Sequence, residues 1–121
     1  MTVPKPGELR QKRCRPCEGG MQPLSAEQAR SYLQIFPGWQ LSADGKSISK
    51  LYVMKGFAQA VKFINQICEI AEAEDHHPDL HLTGYRKLAV ELSTHAIKGL
   101  SENDFILASK IESLPKELKE T

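Results

Sequence analysis

FAQAVKFINQICEIAEAEDHHPDLHL, residues 57–82, changes its apolar period partway along, and the change separates a helix from a strand. From Phe57 to about Glu74, the residues Phe57, Val61, Ile64, Cys68 and Ala71 step by four and three, while Ala60, Phe63, Ile67 and Ile70 form an adjacent stripe. Such spacing predicts a long amphipathic helix. Its apolar arc is wide enough to meet a sheet on one side and a neighbouring helix or subunit on the other. Cys68 lies inside that arc and reads as a small buried apolar residue rather than a nucleophile. After His76-His77-Pro78 the period drops to two. Leu80 and Leu82, then Leu88, Val90 and Leu92, predict two strands joined by a bend at Gly84-Tyr85-Arg86-Lys87.

Working outward, Trp39–Leu41 and Ile48–Met54 flank Ala43-Asp44-Gly45, a hairpin signal because glycine accepts positive φ without steric cost. The second of these strands is ambiguous: either Ile48, Tyr52 and Met54 face inward or Leu51 and Val53 do. Ser25-Ala26-Glu27-Gln28 has the form of a capping box and opens a first helix that runs to about Ile35, before Pro37-Gly38. Ser101-Glu102-Asn103-Asp104 offers a second box, for a last helix over about 102–114 that Pro115 helps to stop. The order helix, two strands, helix, two strands, helix predicts an α+β fold: a four-stranded antiparallel sheet with three helices packed on one face. Residues 1–22 combine Pro4, Pro6, Gly7, Pro16, Gly19 and Gly20 with charges, which reads as an extended or flexible arm before a single domain over residues 23–121.

Sixteen basic against fifteen acidic residues leave a formal charge of +1, no electrostatic footprint for a phosphate backbone, and nucleic acid is not an expected partner. No stretch approaches the ~20 apolar residues of a membrane span, and the first residues lack the apolar run of a signal peptide. Three cysteines, an odd count, agree with a reducing compartment. These features predict a cytoplasmic protein without a membrane partner.

All four histidines, His76, His77, His81 and His95, fall within residues 76–95. With an unperturbed pKa of about 6.5, one imidazole can donate a proton while another accepts one near neutral pH. His76-His77 sits where the long helix gives way to a proline, and His95 ends the fourth strand, so pairing of the last two strands would return it toward the first two. Glu72, four residues before His76, is spaced to orient that ring, and Asp75 either does likewise or faces water. Asp104 is explained by its place in the second capping box.

Glu72-Ala73-Glu74-Asp75-His76-His77-Pro78-Asp79, then Tyr85, then Thr94-His95 and Gly99-Leu100-Ser101 with Asp104, closely resembles the pterin-4a-carbinolamine dehydratase family. The likeness extends from Leu24, through Pro37-Gly38-Trp39, to about Leu114. It implies loss of water from a 4a-hydroxytetrahydropterin to give quinonoid dihydropterin, within tetrahydropterin recycling, after an aromatic amino acid hydroxylase has left the hydroxyl. It also implies that His76, His77 and His95 line the pterin site as catalytic residues. Glu72, Asp75 and Thr94 then lie around the substrate, and Trp39 forms either a wall for the pterin or part of the core. His81 has no counterpart and belongs on the solvent face of its strand.

The residue types suit that chemistry. A carbinolamine carries a hydroxyl and an amine on one carbon, so an imidazolium that protonates the oxygen and a neutral imidazole that takes the N5 proton are sufficient. Neither cofactor nor metal is expected, and a homodimer or homotetramer is expected by family analogy. Two departures stand out: Ala96 occupies a position where many members have an acidic residue, and the connection before Tyr85 is one residue longer, with Gly84 as its accommodation. Two other readings compete. Three histidines can hold zinc, although adjacent rings tend to diverge and Cys14-x-x-Cys17 supplies half of a tetrahedral set. A protein-binding module on the same fold is the other, since animal members of the family also serve as cofactors of a transcription factor.

Overall fold

The computed structural model describes residues 6–14 and 22–119. Within them the elements run α1 (Pro6–Gln11), α2 (Ala26–Leu33), β1 (Gln40–Leu41), β2 (Ile48–Val53), α3 (Phe57–Glu74), β3 (Asp79–Thr83), β4 (Lys87–Leu92), a short 3-10 turn (His95–Ile97) and α4 (Glu102–Glu112). The four strands form one antiparallel sheet in the order β1-β2-β4-β3. The two sequence-adjacent hairpins are thus joined through β2 and β4.

Register settles which face of β2 is buried. Ile48 pairs with Leu92 and Tyr52 with Leu88, and all four are buried, while Leu51 pairs with Ala89 and lies 55% exposed. Because alternate side chains of a strand point to opposite faces, this fixes the whole sheet. Its inner face carries Ile48, Tyr52, Met54, Leu88, Val90 and Leu92 into one apolar cluster with Leu9 of α1, Ala29 and Tyr32 of α2, Phe63 and Ile67 of α3, and Phe105, Leu107 and Ile111 of α4. His81, paired with Ala89, faces outward and is exposed, as its strand position implied.

Both capping boxes form. Ser25 accepts from the Gln28 N–H, and the Gln28 side chain returns to the Ser25 N–H; in the second box Ser101 and Asp104 take the corresponding places. Gly45 adopts φ of 72° at the β1–β2 turn and Gly84 φ of 54° at the β3–β4 turn, where the next residue, Tyr85, is also left-handed at 57°. The residue before Tyr85 is therefore a glycine at a position where a side chain would be strained.

Two expectations are corrected. Part of the segment read as an extended arm is a fourth helix: α1 packs on α4, with Leu9 wholly buried. Pro6 is tolerated at the first helical position, where its missing N–H has no helical acceptor to lose, so proline-rich composition does not forbid this turn. The remaining arm residues, 1–5 and 15–21, lie outside the described residues. Cys68 is exposed, not buried. α3 needs only the stripe of Ala60, Phe63, Ile67 and Ala71 to cover the sheet, which leaves Phe57, Val61 and Cys68 at the surface.

Candidate active site

The end of α3 sets the direction of the first two histidines. Asp75 takes the left-handed conformation at φ of 51°, its N–H donating to the Glu72 carbonyl and the His76 N–H to the Ala71 carbonyl. This pair of bonds stops the helix and turns the chain sharply. Aspartate tolerates the left-handed region better than most residues with a Cβ. Beyond the turn the two rings part. His76 Nε2 lies 2.7 Å from Asp104 Oδ1 with the histidine side chain 11% exposed, whereas His77 Nε2 lies 2.6 Å from Glu72 Oε2 in a largely exposed pair.

The expected pairing of Glu72 with His76 is therefore replaced by Glu72 with His77. The i, i+4 argument assumes that the helix continues through residue 76, and the left-handed Asp75 ends it at Glu74, two residues earlier. His76 takes its carboxylate from α4 instead. Asp104, explained from sequence as a cap alone, has two oxygens with separate duties. Oδ2 accepts the Ser101 N–H at 3.0 Å and the Thr94 hydroxyl at 2.7 Å, leaving Oδ1 for His76. The carboxyl is fully buried, so each of these donors compensates for lost water. The signal available in the sequence was that a capping aspartate uses one oxygen and has a second to spend.

His95 arrives by a different device. β4 ends at Leu92 rather than at residue 95, and the Thr94 and Gly99 backbones pair across a loop, with the Thr94 N–H donating to the Gly99 carbonyl at 2.8 Å. Between them His95–Ile97 form the 3-10 turn, closed by left-handed Lys98. The turn exposes His95 and Ala96 while Thr94 stays 2% exposed beneath them.

A cavity of about 480 Å³ collects these side chains, lined by Cys14, Glu74, Asp75, His76, His77, Ser93, Thr94, His95, Ala96 and Asn103. The volume is in the range of small-molecule sites. Of the residues singled out in the sequence, His76, His77, His95, Asp75 and Thr94 line it. Glu72 reaches it through His77. Trp39 does not: its indole is 5% exposed, sits edge-on to Tyr52 and donates to Glu112 Oε1 at 2.9 Å, which makes it a core residue. Ser93 is an addition, and Cys14, Glu74, Ala96 and Asn103, named in the sequence for other reasons, line it too. Burial foremost, then the charges of Glu74 and Asp104, pushes the Cys14 thiol up to about 12, so it stays protonated. Its S–H points to the Asn103 carbonyl, 3.7 Å away.

Among the described residues, no three His, Cys, Asp or Glu side chains are grouped to hold a metal ion, since His76 and His77 turn to different carboxylates. Nor is any described helix long and apolar enough to cross a membrane.

The family model described as pterin 4 alpha carbinolamine dehydratase matches residues 22–114. Bacterial relatives provisionally named as this dehydratase include one from Halorhodospira halophila, 45% identical over 88% of this chain and 96% of its own length, and one from Nitrosomonas europaea, 48% identical over 90% and 95%. The mitochondrial pterin-4-alpha-carbinolamine dehydratase 2 of Arabidopsis thaliana is 40% identical over 91% of this chain and 60% of its own length. A crystal structure of a transcriptional coactivator/pterin dehydratase from Brucella melitensis superposes with a TM-score of 0.71 at 29% identity, covering 76% of this chain and 97% of that one.

Proposed function

The chain belongs to the pterin 4 alpha carbinolamine dehydratase family, and on that premise we propose that it dehydrates 4a-hydroxytetrahydropterin to quinonoid dihydropterin by histidine acid–base catalysis. The observation that carries the reading is the convergence of His76, His77 and His95, from two separate parts of the chain, on one cavity.

The reaction breaks the C4a–O bond. An imidazolium protonates the hydroxyl so that it leaves as water, the N5 lone pair forms a double bond to C4a, and a neutral imidazole removes the N5 proton. Each positioned acid or base is worth about 10²- to 10⁴-fold. His76 and His95 take the two proton transfers. In support, the buried carboxylate of Asp104 fixes the His76 tautomer: Nε2 donates to Oδ1, which leaves Nδ1 to exchange a proton. His95 sits exposed on its tight turn, next to Ala96. His77, oriented by Glu72, binds the heterocycle. Thr94 is buried and hydrogen-bonded to Asp104, so its part in substrate binding is indirect.

The proposal includes a supplier of the substrate, a pterin-dependent hydroxylation that leaves its hydroxyl at C4a, and so a place in tetrahydropterin recycling in the cytoplasm. It also includes a homodimer or homotetramer, supported by Phe57 and Val61, which lie 58% and 38% exposed on the outer stripe of α3. Light scattering of the purified protein tests the assembly.

The decisive assay follows quinonoid dihydropterin by absorbance from freshly generated carbinolamine. The expected result is formation well above the buffer rate. A wild-type protein no faster than buffer rejects the dehydratase and favours a binding module, as the transcriptional coactivator role named for the Brucella protein suggests.

A further inference from the structure

Residues 6–14 precede the stretch that the family model matches, yet the last of them, Cys14, lines the cavity. Four contacts bring them there. Leu9 is fully buried against the core, and the Arg10 carbonyl accepts from Lys110 Nζ at 2.8 Å. Lys12 Nζ pairs with Glu102 Oε1 at 3.0 Å, and the Cys14 N–H donates to Glu74 Oε1 at 2.7 Å. The last contact is the informative one. Glu74 is the final residue of α3, its side chain is 7% exposed, and it lines the cavity one residue before the left-handed turn that aims His76 and His77. Its Oε2 lies 4.0 Å from Lys110 Nζ, the same ammonium that holds Arg10. Glu74 and Lys110 therefore clasp the N-terminal segment between the ends of α3 and α4.

We infer that residues 6–14 anchor Cys14 as part of the wall of the substrate cavity, a wall that sets affinity for the pterin, with Glu74 as the positioning residue that holds Cys14 there. This rests on the dehydratase reading and adds to it a segment outside the family match. The wall supplies contact surface and excludes water, and it supplies no proton-transfer group. The thiol of Cys14 is protonated and turned to a carbonyl, and the three histidines hang from other elements. Contacts of this kind act alike on bound substrate and transition state, so their loss raises KM and leaves kcat nearly in place.

Three variants of the full chain test it, each measured for KM and kcat with the carbinolamine and for the Kd of a stable 7,8-dihydropterin by fluorescence quenching. Glu74→Ala removes the acceptor for the Cys14 N–H and is expected to raise both KM and Kd by about 10-fold while kcat changes by less than about 2-fold. Glu74→Gln keeps an oxygen at that place and is expected to recover most of the loss. Lys110→Met releases the Arg10 carbonyl from a residue that does not line the cavity, and is expected to raise KM and Kd by about 3-fold or more. Unchanged KM and Kd in Glu74→Ala overturn the wall while wild-type turnover leaves the dehydratase reading standing. A rise in Glu74→Ala with none in Lys110→Met also overturns it, because Glu74 then touches substrate itself. A wild-type chain that neither turns over the carbinolamine nor binds the dihydropterin overturns both.

Discussion

At the scale of single residues, the site turns on which nitrogen of His76 carries hydrogen. Asp104 Oδ2 receives the Ser101 N–H, which can only donate, so in Asp104→Asn the amide oxygen must stay at that position and the amide nitrogen must face His76. Nε2 is then forced to accept and Nδ1 to carry the hydrogen, the reverse of the native tautomer. We expect kcat for carbinolamine dehydration to fall by about 10²-fold. His76→Ala and His95→Ala are each expected to lose about 10²- to 10⁴-fold, measured in the same assay. His81→Ala is the control, since that ring is exposed on β3 and does not line the cavity. His76 and His77 were legible in the sequence as residues at the end of the long helix, whereas His95, read as the last residue of β4, lies beyond that strand in the 3-10 turn. The partners of His76 and His77 were not legible, because a carboxylate's second oxygen and a helix that ends in a left-handed aspartate are facts of three dimensions.

At the scale of elements, α4 is fastened at both ends by carboxylates. Asp104 closes its first turn, and Glu112 at its last receives the Lys50 ammonium at 2.6 Å, the Trp39 indole at 2.9 Å and the Tyr52 hydroxyl, tying the helix to β2. Burial by itself would push the Glu112 carboxyl up, but hydrogen bonds from Lys50, Tyr52 and Trp39, with the Lys50 charge, hold it below the ordinary value of 4.5. The same carboxylate helps raise the Tyr52 hydroxyl, after burial. A carboxyl whose folded pKa is depressed contributes stability that is present above its unfolded value and is lost as pH falls through the folded one. Wild-type stability, followed by urea unfolding at a series of pH values, should therefore decline below pH 4.5 more steeply than that of Glu112→Gln, which is less stable at pH 7. The sequence made the helices and strands from α2 to α4 legible. α3 occupies the expected residues 57–74, and both capping boxes start helices where they were read. It did not separate the buried stripe of α3 from the exposed one, because both are apolar and only the sheet's position chooses between them.

At the scale of the whole molecule, the α+β order with one covered sheet face followed from periodicity, while α1 did not, since six residues are too few for a period to show. Its weight in the fold comes from Leu9. Leu9→Ala removes a fully buried side chain and is expected to lower the free energy of unfolding by about 2–4 kcal/mol, read from the urea midpoint at constant slope. The docking of this segment on α4 also has a temporal side. Arg10 and Cys14 find their partners at Lys110 and Asn103, 100 and 89 residues downstream, so this segment must wait for a helix made much later. While the protein is still on the ribosome, a nascent chain ending before residue 102 has neither the carboxylate that steadies His76 nor the surface on which the N-terminal segment settles, so the pocket is completed only once α4 has been made.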